Sequence, residues 1–547
     1  MKVFLLCVLV AGALATNPPR WDPVHSVRGV LYIPYAEIEE PFEAWYDSHT
    51  GRSRIDYYGG MVKTYQLAKE FNYGTLLKVA PITNDRVENQ QTCLQVNGTS
   101  DNEVSIQSIL PNAKNFSLVG TELFMGHKCD KFRLEETIGE KRNVYTLYVR
   151  YKKSPKYPSS RMPIPVRYEM RGYNSLLGSH FDHYYLDYDA YSHEDIPNEV
   201  FQVDVTEPCI SFPGPGHMTT FNPAAEFVHP HLDDHITSEF NRFKGKHRKS
   251  YDGEEQHAQR KHIFTQNLRF IHSKNRAGLG YSLAVNHLAD RTEDELQVLR
   301  GFRSSKPSGG NGGKPFPEEL LRSKDHLPDQ WDWRILGAVT PVKDQSVCGS
   351  CWSFGTIGHV ESAYFLKNGG NLVRLSQQAL VDCSWEFGNN GCDGGEDYRA
   401  YQWIMKVGGV PTEEEYGGYL GQDGYCHVKN MTNLVAPITG FVNVTSGSEN
   451  AFKVALFKKG PLSVAIDASP RTFTFYSHGV YYEPNCKNDL DGLDHAVLAV
   501  GYGVLNGELY WLVKNSWSNY WGNDGYILMS ARDNNCGVMT SPTYVEM

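Results

Sequence analysis

The chain has no run of the about 18–20 consecutive apolar residues that a membrane-spanning helix needs, which excludes a spanning anchor as the reading of any segment. It has no basic excess either. Lys and Arg number 53 against 63 Asp and Glu, a net charge of -10, whereas a nucleic-acid partner would want a basic face. With Cys351 set aside, the spacings of the other cysteines do not resemble paired Cys-x-x-Cys, which argues against zinc; no metal and no cofactor is expected. What it has is an ordinary globular make-up, 40% apolar and 21% charged, over 547 residues. That is enough for roughly three domains at about 150 residues each.

The first residues read Met-Lys, an apolar run from Val3 to Ala13, and then Ala13-Leu14-Ala15 before Thr16. A positive start, a short apolar stretch and an Ala-x-Ala exit predict a signal peptide over 1–15 and entry to the secretory pathway. The destination stays open between a lysosome or endosomal granule and the extracellular space. Secretion makes disulfides possible and gives meaning to four glycosylation triplets, at Asn97, Asn115, Asn430 and Asn443. Of 11 cysteines, Cys7 leaves with the signal peptide.

Composition divides the remainder. Residues 16–230 are expected to form an antiparallel all-β domain. Runs such as Tyr145-Thr-Leu-Tyr-Val-Arg-Tyr alternate with a period of two and are rich in aromatic and β-branched residues. Residues 231–303 read as helical, with Arg260, Phe264, Asn267, Ile271 and Asn275 stepping along one helix face. A Gly/Pro/Ser stretch then predicts a flexible linker over 304–326. The last segment, 327–547, is dense in Trp, Gly and Cys.

The strongest chemical signal is Gln345-Ser-Val-Cys-Gly-Ser-Cys-Trp-Ser-Phe. After Cys351, Phe354, Ile357, Val360 and Tyr364 repeat at helical spacing up to Gly369-Gly370. Cys351 is thus expected in the first turn of a buried helix, where unpaired N–H groups and the positive dipole end favour a thiolate. A thiolate nucleophile needs a histidine as ion-pair partner and proton donor. His495 opens a strand-like run 144 positions later, and Asn515 follows with Trp517 beside it. In this reading Asn515 orients the imidazole, and Trp517 shields their hydrogen bond from water.

With Trp331-Asp-Trp-Arg, Gly391-Cys-Asp-Gly-Gly and Asn515-Ser-Trp in order, residues 327–547 resemble a papain-family cysteine peptidase of the cathepsin L type from end to end. Ser346-Val347, Asp393 and Ser518 are its small departures. The resemblance implies an α+β fold: a papain-like two-lobed catalytic domain with a helical left lobe and a β-barrel-like right lobe. It implies Cys351, His495, Asn515 and Gln345 as catalytic residues, with Gln345 serving the oxyanion hole. It also implies bridges Cys348–Cys392, Cys383–Cys426 and Cys486–Cys536, and a substrate cleft lined by Gly394, Gly395, Glu396, Asp397, Ala465, Leu493, Asp494, Trp517 and Ser541. The carboxylates of Glu396 and Asp397 either attract a basic substrate side chain or are merely solvated.

The helix face from Arg260 to Asn275 and the run Ala284-x-Asn286-x-Leu288-x-Asp290 resemble the two signatures of cathepsin L-like inhibitory propeptides, with Gln256 where that pattern has Glu. This implies that 231–303 lies along the cleft and blocks it, until acid weakens the docking and the chain cuts itself near the linker or just before Leu327. The layout as a whole is similar to the two-chain haemocyte cysteine proteinases of insects, with the N-terminal domain as a candidate second chain. In that domain Cys93, Cys129 and Cys209 are an odd set, and Cys93–Cys129 is the expected bridge, leaving the partner of Cys209 open.

The leading reading is an endopeptidase zymogen acting on protein and peptide substrates, with its own propeptide as inhibitor. A dipeptidyl exopeptidase whose N-terminal domain closes the cleft is the first alternative. The second is a ligand-binding protein with a subsidiary protease.

Overall fold

A computed structural model describes residues 17–84, 86–153, 161–205, 207–212, 222–228, 234–305, 307–308, 310–322, 326–431 and 433–547; the predicted signal peptide lies outside them. Among the described residues no helix is long and apolar enough to cross a membrane. The chain divides into two compact units. One comprises the residues up to Ala80, Gln91–Lys244 and Ser250–His262, the other Pro81–Gln90, Gly245–Lys249 and Ile263–Met547.

The first unit is built on a twelve-stranded sheet, antiparallel except where Ile210–Ser211 runs parallel to Gln90–Asn97 at one end. Alternation in the sequence becomes alternation in burial. In the strand Val24–Ile33 the residues Val27, Leu31 and Ile33 are buried while Arg28 between them is exposed. Facing residues from other strands, among them Phe42, Ile55, Phe132, Leu147, Tyr168 and Leu186, complete one apolar core. A bulge at Arg28/Gly29 marks the pairing with Ser179–Ser192. A Cβ on Gly29 would lie 2.0 Å from the Asp187 carbonyl oxygen, so only glycine fits there.

The bridge expected between Cys93 and Cys129 is not formed. Cys93 is bonded to Cys209, and Cys129 is buried and unbridged. The reason is the order of the strands. Gln90–Asn97 lies second from one end of the sheet and the strand His127–Ile138 second from the other, whereas Cys209 immediately precedes the short strand paired with Leu94–Gln95.

In the second unit the helix Cys351–Lys367 is buried through its first twelve residues. It packs on the strands Leu462–Ile466 and His495–Leu505 of a ten-stranded sheet. Three disulfides, Cys348–Cys392, Cys383–Cys426 and Cys486–Cys536, tie the surrounding loops. Both ends of the sheet are formed by segments preceding residue 327. Tyr281–Leu283 pairs antiparallel with Tyr476–Tyr481, and Lys314–Pro315 parallel with Gly440–Asn443. Part of the Gly/Pro/Ser stretch is therefore docked. Lys314 is paired with Glu546 at 2.7 Å, and Phe316 is buried against Tyr544.

The helical stretch resolves into Asp234–His247 and the long helix Gly253–Arg276. On the long helix Phe264, Asn267 and Ile271 are buried, and Arg260 and Asn275 are partly so. The asparagines explain why amides recur on an otherwise apolar face. Asn275 exchanges two 2.8 Å hydrogen bonds with the backbone of Leu283. Asn267 donates to the Ala289 carbonyl at 2.8 Å and accepts from Arg471 at 2.6 Å.

Candidate active site

Cys351 is the first residue of its helix, and its thiol is fully buried beside the start of the strand that begins with His495. The sulfur accepts from the backbone N–H of Ala496 at 3.4 Å and of Gly301 at 3.2 Å. Burial pushes the thiol up to about 11 against these two donors. His495 is equally enclosed, and burial pulls its imidazole down to about 4 although Asn515 opposes this. Burial thus disfavours the charged form of both thiol and imidazole in this form of the chain.

His495 donates through Nε2 to Asn515 Oδ1 at 2.8 Å. That orientation of the Asn515 amide is supported from a second side, because the Ser516 N–H donates to the same oxygen at 2.8 Å. With Nε2 engaged, Nδ1 is the ring nitrogen left without a hydrogen bond among the described residues. Trp517, also buried, lies with its ring 4.8 Å from the imidazole.

Gln345 is held on all sides. Its Oε1 accepts from Ser516 Oγ at 2.7 Å, and its Nε2 donates to the carbonyls of Cys348 and Leu299, each at 2.9 Å. A side-chain amide donor fixed in this way is the kind of group that a developing oxyanion requires. Here it is taken by the Leu299 carbonyl.

Leu299 belongs to the segment that covers Cys351. Gly301 lies over the cysteine, and a Cβ on it would fall 1.8 Å from the Gly349 oxygen, so no side chain fits. The Gly395 N–H donates to Gly301 O at 2.9 Å, the Arg303 N–H donates to Gly395 O at 3.1 Å, and Phe302 pairs with Gly395 in parallel. Gly394, at φ 120°, also leaves no room for a side chain against Gly301 O. Phe302 is buried in the core cluster that contains Ala465 and Leu493. Its N–H donates to the Asp494 carbonyl at 2.9 Å. The Asp494 carboxylate is paired with Arg300 at 2.9 Å, and burial raises it to about 6.

The adjacent acidic residues expected in the cleft, Glu396 and Asp397, differ. Asp397 accepts from Thr543 Oγ1 at 2.6 Å and from the Tyr398 N–H at 2.8 Å, so its carboxylate is committed to the protein. Glu396 is 4% exposed and accepts from both the N–H and the hydroxyl of Ser305. Ser541 is half-buried just before the strand Thr543–Glu546. Arg300, Ser305, Ser516 and Arg399 form parts of this site that sequence reasoning passed over. Only the placement of Arg300 and Ser305 just after the propeptide signatures could have drawn attention to them.

Of the glycosylation triplets, Asn97 and Asn115 are exposed, whereas the Asn443 amide is hydrogen-bonded to Asn311. The triplet at Asn430 ends in Thr432, outside the described residues.

Comparison with known proteins agrees with this geometry. Residues 327–546 match the papain family cysteine protease domain, and residues 240–296 match the cathepsin propeptide inhibitor domain. A cathepsin L-like peptidase of Aedes aegypti is 46% identical over 319 residues, 56% of this chain and 93% of the relative. Digestive cysteine proteinase 1 of Homarus americanus is 44% identical over 311 residues, 55% of this chain and 92% of its own length. Among solved structures, digestive procathepsin L 3 of the Tenebrio molitor larval midgut is similar with a TM-score of 0.51 and 36% identity. That match covers 57% of this chain and 99% of the beetle protein. The chain belongs to the papain family of cysteine proteases, as a cathepsin L-like zymogen whose own inhibitory propeptide precedes the protease.

Proposed function

We propose that this protein is a cysteine endopeptidase made in the secretory pathway, held latent by residues 231–303 and activated by proteolysis at acid pH. The observation that carries the reading is Gly301 seated on Cys351 while the Leu299 carbonyl takes the Gln345 amide. In this reading 327–547 is the enzyme, 304–326 the activation segment and 16–230 an accompanying domain after a signal peptide over 1–15. Asn97 and Asn115 are the more accessible candidates for glycans.

Once the prosegment leaves, water reaches the site and the cost of separating charge between Cys351 and His495 falls. The Cys351 thiolate attacks the scissile carbonyl carbon. The oxyanion is held by Gln345 Nε2–H and the Cys351 N–H. His495, with Asn515 holding its Nε2, delivers the Nδ1 proton to the leaving amine, the C–N bond breaks and a thioester acyl-enzyme remains. Water then attacks the thioester and gives a proton to His495, the C–S bond breaks to return the Cys351 thiolate, and the acid product departs.

The test is acid activation of purified precursor, read with an N-terminally blocked fluorogenic peptide and with its free-amine dipeptide counterpart. Hydrolysis of the blocked peptide, lost in Cys351→Ala, is expected. Hydrolysis of the free-amine peptide alone would replace the endopeptidase by an exopeptidase.

A further inference from the structure

In this chain the segment that directly follows the propeptide lies against Glu396, and there the contact is chemically selective. Ser305 donates to Glu396 twice, from its N–H to Oε1 at 2.8 Å and from its Oγ to Oε2 at 2.5 Å. The same hydroxyl lies 2.8 Å from the Tyr398 hydroxyl. The carboxylate is fixed before any peptide arrives. Arg399 Nε stands 3.1 Å from Oε2 and donates to Tyr398 OH, the Arg399 guanidinium is anchored on the Gly388 carbonyl, and the Glu396 N–H donates to Asn389 Oδ1 at 2.9 Å.

When the segment carrying Ser305 departs, a carboxylate fixed by the protein loses two donors. A peptide that restores them is favoured, and one that covers the carboxylate with a methyl group leaves it unpaired, which is costly. Arg399 decides between two kinds of donor. Its guanidinium already neutralises Glu396, so a substrate lysine or arginine would bring a second cation against it, whereas a hydroxyl adds a hydrogen bond without charge.

We infer that Glu396 is a specificity-determining residue that selects serine or threonine at the substrate position facing it, in place of the basic side chain that two carboxylates would suggest. The inference rests on the peptidase reading of the cleft.

Threonine and valine are nearly the same shape, so their ratio isolates the hydroxyl. The experiment scans Thr, Val, Ser, Ala and Lys at the second and the third residue before the cut in blocked fluorogenic peptides. The enzymes are the activated wild type, Glu396→Leu and Glu396→Gln. At one of the two positions the wild type is expected to favour Thr over Val by about tenfold in kcat/KM. The ratio should fall to about one in Glu396→Leu and part of it should return in Glu396→Gln, whose amide oxygen still accepts. A ratio unchanged by Glu396→Leu, or lysine preferred over threonine, would overturn the inference.

Binding of the same peptides to the activated form carrying Cys351→Ser reads the preference without chemistry. A Thr-over-Val binding preference, when the wild type hydrolyses none of these peptides, would refute the peptidase reading and leave this one standing. Equal binding of Thr and Val would refute this one alone.

Discussion

Replacing His287 by glutamine should blunt the response of the zymogen to acid. His287 sits in the second propeptide signature. Its neighbour Asn286 donates to the Thr474 carbonyl at 2.8 Å, and its ring centroid lies 6.2 Å from that of Tyr520, on the protease side. Around it stand His247, 6.3 Å away and 5.0 Å from the same tyrosine, together with Lys249, Arg291 and Asp290, the last paired with Lys249 at 2.8 Å. Burial, and then the cations, pull the His287 imidazole down to about 3. A base whose pKa is lower when docked is stabilising in its neutral form. The docked state keeps its full stability above about 6.5 and loses it as pH falls from there towards 3.

At pH 4.5, two units below the ordinary imidazole value, the loss from this one group is up to about 2.7 kcal/mol, or about 100-fold in the docking equilibrium. His247 is also lowered, to about 4, with burial as the largest cause, and it shifts in the same sense. The assay follows precursor processing on gels and by peptide hydrolysis between pH 7 and pH 4.5, for the wild type, His287→Gln and the double variant with His247→Gln. The wild type should accelerate steeply below pH 6.5, His287→Gln markedly less and the double variant least. A His287→Gln precursor that accelerates within twofold of the wild type over that range would refute the argument.

Gln345→Ala should lower kcat of the activated enzyme by about 10²–10³ with little change in KM, because the lost donor acts on the oxyanion. A change confined to KM would contradict this. Asn267→Ala takes away an acceptor of the Arg471 guanidinium, a loss of about 1.5–3 kcal/mol for a hydrogen bond to a charged group. Its precursor should process detectably at pH 7, and unchanged latency would be evidence against that contact. Peptide mapping without reduction should recover Cys93 linked to Cys209, with Cys129 alkylated only after unfolding. Recovery of a Cys93–Cys129 peptide would count against a sheet in which their strands lie near opposite ends.

Much of the site was legible because papain-type chemistry imposes local patterns. The helix start at Cys351 writes its own signal, since the apolar period after it can be read without knowing what it packs on. His495 and Asn515 stand at the beginning and just past the end of adjacent strands, His495–Leu505 and Glu508–Lys514. Their apolar runs announce those strands, and the family register brings them to the cysteine. The β-character of the first unit was equally plain from alternation. What alternation does not carry is the order of strands, and that order misled the cysteine pairing. Three cysteines permit several bridges, and only the parallel contact of Ile210–Ser211 with Leu94–Gln95 brings Cys209 to Cys93.

The sequence alone determined the family, the presence of an inhibitory propeptide and a β-rich unit before it, and it proposed the nucleophile and its partners. Those rest on short-range periodicity and on motif spacing, which survive any arrangement of the rest. Only the tertiary structure decided that Glu396 faces a serine and an arginine, that the Asp397 carboxylate is hydrogen-bonded to Thr543, and that His287 lies half-buried among cations. Each depends on which residues distant in sequence share a few ångströms, and both the strength of a charge and the pKa of a side chain are set over that distance.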